Sequence, residues 1–479
     1  MTNTSPLHAP DGNRLTVLDP DRLFPADPDT RDRARALHER VAELPIISPH
    51  GHVDPRILLD DAAFADPTSL FLTFDHYVTR LLHADGADLA LFGVGAGGPA
   101  DPRAAWIAFA DRWHLFAGTA SGYWLRHEWA SLFGLTDELS PASADAFYDR
   151  IASRIADADF RPRALLDQFR IEVLATTDDP LDDLEVHRAL ATDPAVSARI
   201  LPTFRPDAYL DPEAAGFRER LERLAAATGR SADDPQGYLA SLRERRAHFI
   251  ANGAVSADHG VREPFTVALD RDEFAALHRD ALAGRLDAQG ARLFRGAMLL
   301  EMGRMSADDG LVMTIHPGVH RNHSSATFDR FGPDSGHDIP IAVEYTANLR
   351  PLLDEIGLRP DVHIVAFSID ETVYSRELAP LAGFYPALYV GAPWWFLDAP
   401  DAALRVRAAV TETAGFSRGS GFIDDTRAFL SIPARHDMSR RVDSAFLARL
   451  VIEGRLTMAD AERIIVEITD AQPREVFKL

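Results

Sequence analysis

The chain has 479 residues, more than the usual single domain, and this length allows either one α/β barrel with insertions or two to three smaller domains. Hydrophobic residues at 46% and charged residues at 26% exclude a disordered chain, and the formal charge of −23 argues against nucleic acid or an anionic membrane surface as partner. The absence of cysteine excludes disulfides and thiolate metal sites, which leaves histidine, carboxylate and water as ligands. A small anionic substrate stays compatible with the acidic balance, because salt screens the distant charge within about 10 Å. Any site for an acid must therefore carry its own arginines.

The N-terminal stretch "MTNTSPLHAPDGNRL" lacks the basic start and apolar segment of a secretory signal, and no apolar run is long enough to cross a bilayer, so a cytoplasmic protein is expected. A helix is predicted near Thr30–Leu44, followed by "LPIISPHGHVDP". In an extended chain His50 and His52 share a face while Gly51 leaves room between them, a geometry suited to holding a metal ion. Turn histidines are the plainer alternative, since Gly51, Asp54 and Pro55 favour loops.

From Pro55 to about Asp167 the pattern is mostly helical and rich in aromatics, as in "AAWIAFADRWHLF" and "SGYWLRHEWASLF". Seven short apolar runs with polar ends follow: "IEVLATTDDP", "ARILPTFRP", "GAVSADHG", "LVMTIHPG", "VHIVAFSID", "ALYVGAPWWF" and "SGFIDDTR". With "LPIISPHGH" they make eight. Helical spacing lies between them, for instance at Leu349, Leu352, Leu353 and Ile356, and a helix start is predicted at Thr457 with Asp460.

Eight buried-type strands alternating with helices predict an α/β fold, a (β/α)8 TIM-type barrel with a helical insertion after strand one; a doubly wound open sheet would also alternate. The expected division is 1–54 for the N-terminal segment and first strand, 55–167 for the insertion, and 168–479 for the rest of the barrel and the C-terminal helices. Each run ends in residues such as Asp178 and Asp179, Arg205, His259, His316, Asp370, Trp394 and Trp395, or Asp425 and Arg427, at the end where a barrel carries its active site. Gly93, Gly95 and Gly98 satisfy G-x-G-x-x-G but lack a strand–helix–strand setting, so a loop is expected there.

The strand-one H-x-H, "DHY" at Asp75–Tyr77 with Arg80, "TTDDP", "PTFRPD", "SADHG", "IHPGVHRN", the Trp394-Trp395-Phe396 run, "DDTRAFLS" and "RHDMSRR" occur in an order that resembles the uronate isomerase (glucuronate isomerase) family of the amidohydrolase superfamily, from about His50 to Arg441. The resemblance implies interconversion of D-glucuronate with D-fructuronate and of D-galacturonate with D-tagaturonate. It assigns one divalent metal ion, zinc, to His50, His52 and Asp425, with Asp424 as the rival carboxylate expected to point to the opposite face. His316 matches a residue near the metal, and His76, Tyr77, Arg205, Trp394 and Trp395 match the substrate pocket.

Asp425 is the candidate to take the ring hydroxyl proton. Tyr77, with its pKa lowered by a cation such as Arg427, or else His76, would move the proton between C2 and C1 through an enediol. Arg205 and Arg321, with Arg427 a further candidate, would fork the hexuronate carboxylate. The alternative activity is a metal-dependent hydrolase, a lactonase or amidase acting on a sugar-acid derivative; a non-catalytic sugar-acid binder is the third reading. The aromatic insertion could serve as a subunit contact in a homo-oligomer or as a lid.

Overall fold

The computed structural model describes residues 18–479, so the N-terminal stretch read for a signal segment lies outside the described residues. In chain order the strands are β1 (Ile46–Ser48), β2 (Ile171–Ala175), β3 (Arg199–Leu201), β4 (Ser256–His259), β5 (Val312–Ile315), β6 (Val319–His320), β7 (Ile339–Pro340), β8 (Ile364–Ala366) and β9 (Leu388–Val390). They form a parallel sheet ordered β1-β2-β3, a parallel sheet ordered β4-β5-β8-β9, and the antiparallel pair β6-β7. The fold is thus α/β with parallel strands, as the alternating runs predicted.

Hydrogen bonding continues past the edges of the two parallel sheets. Phe204, just beyond β3, pairs in parallel with both Asp178 and Ala257, joining β3 to β4. The run "SGFIDDTR", predicted as a full strand, is not one: a bridge from Gly419, just before it, to Val390 and a bond from Ser420 N to Val390 O at 2.9 Å tie its start to β9, and its end bonds the segment after β1 through His52 N and Thr426 O at 3.0 Å. Its irregularity has a local cause: Gly421 and Asp425 both take positive φ, which interrupts a pleated ladder.

The helices follow their caps. The first runs over Pro28–Glu39 from the Asp27 cap and ends earlier than the expected Leu44. The helix over Met458–Val466 starts at Thr457, whose hydroxyl accepts from Asp460 N. In the helix Arg350–Ile356 the side chains of Leu352, Leu353 and Ile356 are buried, as is the preceding Leu349. The glycine-rich stretch after Phe92 is a series of turns with positive φ at Gly93, Gly95, Gly97 and Gly98, in keeping with a loop.

Two apolar clusters position the site. One packs Phe204, Leu242, Phe249, Met298 and Leu352 beneath β4, β5, β8 and β9. The other gathers Trp106, Phe109, Trp129 and Phe133, from the helices between β1 and β2, onto Ile46, Ile171 and Leu174 of those strands. Burying a large side chain such as Trp129 stabilises by roughly 3 kcal/mol. That packing, through Val78 and Leu82, anchors the helix that carries His76 and Tyr77. Among the described residues no helix is long and apolar enough to cross a membrane.

Candidate active site

A cavity of about 490 Å³ opens at the C-terminal ends of the parallel strands. His50 and His52 enter it after β1, Arg205 after β3, Asp258 from β4, His316 after β5, Trp394 and Trp395 after β9, and Asp425 with Arg427 from the eighth run. His76, Tyr77 and Arg321 complete the walls. Every residue singled out for catalysis, substrate or metal thus lines one space.

At the inner end, Asp425 Oδ1 lies 3.3 Å from His50 Nε2 and 3.1 Å from His52 Nε2. Asp424 instead turns away, its Oδ2 3.0 Å from His436 Nε2, although the left-handed backbone at Asp425 means the segment is not the extended strand on which that expectation was built. Asp425 adopts φ 40°, a left-handed conformation that a non-glycine residue holds only when its surroundings enforce it. Three ligand atoms, from His50, His316 and Asp425, lie within 4.8 Å of one another. His316 therefore stands closer to a ligand position than expected, while His52 stays beside Asp425 outside that triplet.

His316 Nδ1 is 2.6 Å from Asp258 Oδ1, and its Nε2 is buried without a hydrogen-bond partner. An ionised carboxylate can only accept, so Nδ1 carries the hydrogen, and in the neutral ring Nε2 keeps its lone pair. Such a carboxylate–histidine pair is the arrangement that orients a metal-binding imidazole. His50 Nδ1 and Asp425 Oδ1 are likewise buried without a hydrogen bond. Two or three imidazoles and a carboxylate, without thiolate, match a divalent cation such as zinc.

The electrostatics follow from burial against charge. Burial penalises ionisation of Asp425, but the His50 and His52 rings outweigh it and hold its carboxyl well below the usual range. Asp258 is also held low despite burial, by His316, His50 and Arg205. For His50 the burial penalty is overcome by Asp258 and Asp425, so its pKa rises; for His52 burial prevails and it falls.

At the outer end, Asp75 caps the helix His76–Ala84 by accepting from Tyr77 N at 2.8 Å and Val78 N at 3.4 Å. This cap sets His76 and Tyr77 on the first turn, where their rings stack at 4.8 Å. Burial, then Arg427, pushes His76 down to about 3. The expectation that Arg427 lowers the Tyr77 pKa is not met: burial pushes the phenol up, and the cation beside its ring is Arg435, 5.6 Å from the centroid. Arg427 faces Asp334 at 3.3 Å.

The arginines that line the cavity are all paired. Arg205 Nε donates to Asp207 Oδ2 at 2.8 Å, and its Nη1 lies 3.4 Å from Asp258 Oδ2. Gly260 permits this placement, since a Cβ there would stand 2.6 Å from Arg205 Nη2. Arg321 donates to Asp338 and lies over the Trp395 ring at 5.2 Å, so it belongs to the wall.

Other rim residues do not converge. Asp178 accepts from Thr176 and Thr203 outside this cavity, and Asp179 accepts from the Tyr209 hydroxyl. His259 turns its Nδ1 to Thr314 O, and Asp370 accepts from Thr372. Asp258, Asp334, Asp338 and Arg435 were missed. Strand alternation could have found Asp258, because in "SADHG" the residue before His259 faces the opposite side. The others come from loops and a distant helix and carried no periodic signal.

Fold and site together define an α/β protein with a buried imidazole–carboxylate centre at the C-terminal ends of parallel strands. A family model described as glucuronate isomerase matches residues 29–477. A uronate isomerase of Corynebacterium efficiens is 53% identical over 96% of this chain and 98% of its own length. The crystal structure of glucuronate isomerase from Caulobacter crescentus superposes with TM-score 0.93 at 48% identity, covering 96% of each chain. That of uronate isomerase from Thermotoga maritima gives 0.90 at 27% identity, covering 96% of this chain and 99% of the other. The chain belongs to the glucuronate isomerase family.

Proposed function

We propose that the protein is an aldose–ketose isomerase interconverting D-glucuronate with D-fructuronate and D-galacturonate with D-tagaturonate. The observation that carries this reading beyond family membership is the convergence of His50, His52, His316, Asp425, Arg205, Arg321 and the His76–Tyr77 pair on one cavity. The scaffold is a closed (β/α)8 barrel in which 55–167 is a helical insertion and 168–479 completes the barrel. The Phe204 and Gly419 bridges and the bond from His52 N to Thr426 O support closure, since they link each sheet edge to the next strand.

The residues that would hold zinc are His50 and Asp425, with His52 or His316. The cation would polarise substrate oxygens near the reacting carbons. Asp425, kept ionised, takes the anomeric hydroxyl proton as the bond from C1 to the ring oxygen breaks and delivers it to that oxygen, which becomes a free hydroxyl. His76, kept neutral by burial, takes the proton from C2 and returns it to C1. Tyr77, kept as a phenol, hydrogen-bonds the enediol oxygens while the O2 proton passes to O1. The balance is an aldehyde and a secondary alcohol converted to a primary alcohol and a ketone, with no external oxidant.

Arg205 binds the carboxylate at the inner end, and Arg321 supports it from the rim. Incubation of the purified protein with glucuronate and galacturonate, followed by NMR, tests the reading. Ketose formation is expected, with solvent deuterium appearing beside the carbonyl to the extent that the transferred proton exchanges. No conversion of either uronate, with or without added zinc, would overturn it.

A further inference from the structure

Next to the uronate cavity lies a second one of about 320 Å³, between the helix Ala120–Phe133 and the segment after Asp425. Its walls include Phe64, Phe71, Leu125 and Leu430, and it shares Phe74 and Arg427 with the uronate cavity. The size is at the lower end of small-molecule pockets, and the lining is apolar as such pockets usually are.

Glu128 lines this space with only 4% of its surface exposed. Among the described residues it forms no ion pair, and the nearby cations are engaged elsewhere: Arg427 with Asp334, and Arg435 with Asp398 and Ser431. Asp75, on the same wall, commits only Oδ1 to backbone N–H groups. Two carboxyl groups thus border an apolar chamber, with no donor among the described residues hydrogen-bonded to Glu128. Burial disfavours the ionised carboxyl as long as it has no partner, and the chemistry that would stabilise it is a donor-rich cation with an apolar tail.

We propose that this cavity binds a small aliphatic ammonium ion, its head against Glu128 and its chain along Phe71, Leu125 and Leu430. The shared wall of Phe74, Asp75, Arg427 and Ala428 places such a ligand beside the substrate, away from Arg205 and Arg321. The charged groups acting on Glu128 are Asp75 from the helix cap and Arg435 from the helix Ile432–Ile452, and Arg427, from the loop after Asp425, lines the same cavity. Burial, reinforced by Asp75, pushes Glu128 up to about 8. An ammonium ligand needs the ionised form, so its affinity should rise as the pH passes from 6.5 to 8.5.

The test is calorimetric titration of the full-length protein with n-butylammonium chloride, alongside the variants Glu128→Gln and Leu125→Trp. Saturable binding is expected for the parent, stronger at pH 8.5 than at 6.5. Loss of the charge should weaken it about ten-fold, and the bulkier indole should abolish it by filling the chamber. Both variants should keep the circular dichroism of the parent, and n-butanol should bind more weakly than the amine. Absence of saturable binding to the parent would overturn the proposal, as would unchanged affinity in both variants. Binding is read directly, so the outcome is independent of whether uronates are turned over.

Discussion

The two ends of the uronate cavity are built from different kinds of structure. At the inner end His50, His52, Asp258 and His316 sit on or just beyond parallel strands whose spacing is set by backbone hydrogen bonding. At the outer end His76 and Tyr77 stand on the first turn of one helix, held by the Asp75 cap and by aromatic packing, while Arg321 is held by Asp338 and Trp395. Strand ends present side chains at fixed intervals. The outer wall depends on a cap and on loops, so its geometry should yield more readily to substitution.

The contrast can be broken first at Asp425. Asp425→Asn should lower kcat by about 10³-fold with the fold intact, because it removes both a proton acceptor and a ligand atom; near-normal turnover would detach the inner end from the chemistry. Substituting His50 and His52 together by Ala should lower bound-metal content measured by elemental analysis, and unchanged metal would place any ion elsewhere. At the outer end His76→Ala should reduce kcat by about 10²-fold. Because burial holds His76 near 3, its neutral form persists down to about that pH, so kcat/KM should show no limb at 6.5 from this residue; a His76-dependent fall near 6.5 would contradict the assignment.

Smaller effects sharpen the picture. Arg205→Met should raise KM for glucuronate by roughly ten-fold or more while changing kcat less, as expected when a charged hydrogen bond is lost. Asp75→Ala should cost about 1 kcal/mol of stability through the lost cap, seen as a lower midpoint in urea. Its effect on kcat should fall below that of His76→Ala, since it loosens the platform without removing the base.

Much of the inner end was legible in the sequence because period-two alternation and backbone register act over a few residues. The pair His50 and His52 and the polar ends of β4 and β5 rest on that short-range rule, whereas the choice of Asp425 over Asp424 rested on the family resemblance. The rule also reached too far. Asp178, His259 and Asp370 end similar runs but face neighbouring backbone or hydroxyls, since a strand end shows two faces and only one looks into the cavity.

The sequence by itself determined the alternating α/β character, the apolar insertion, the ligand chemistry of a chain without cysteine, and the family to which its ordered motifs belong. Only the tertiary structure decided that Asp258 orients His316, that Arg435 rather than Arg427 lies against Tyr77, and that each pocket arginine has an acidic neighbour. Except for Arg205 with Asp207, which are near neighbours in the chain, those pairings join residues tens to hundreds of positions apart, and burial shifts the charge that the enclosed groups carry. Neither the distance across the fold nor the loss of water is encoded in local spacing.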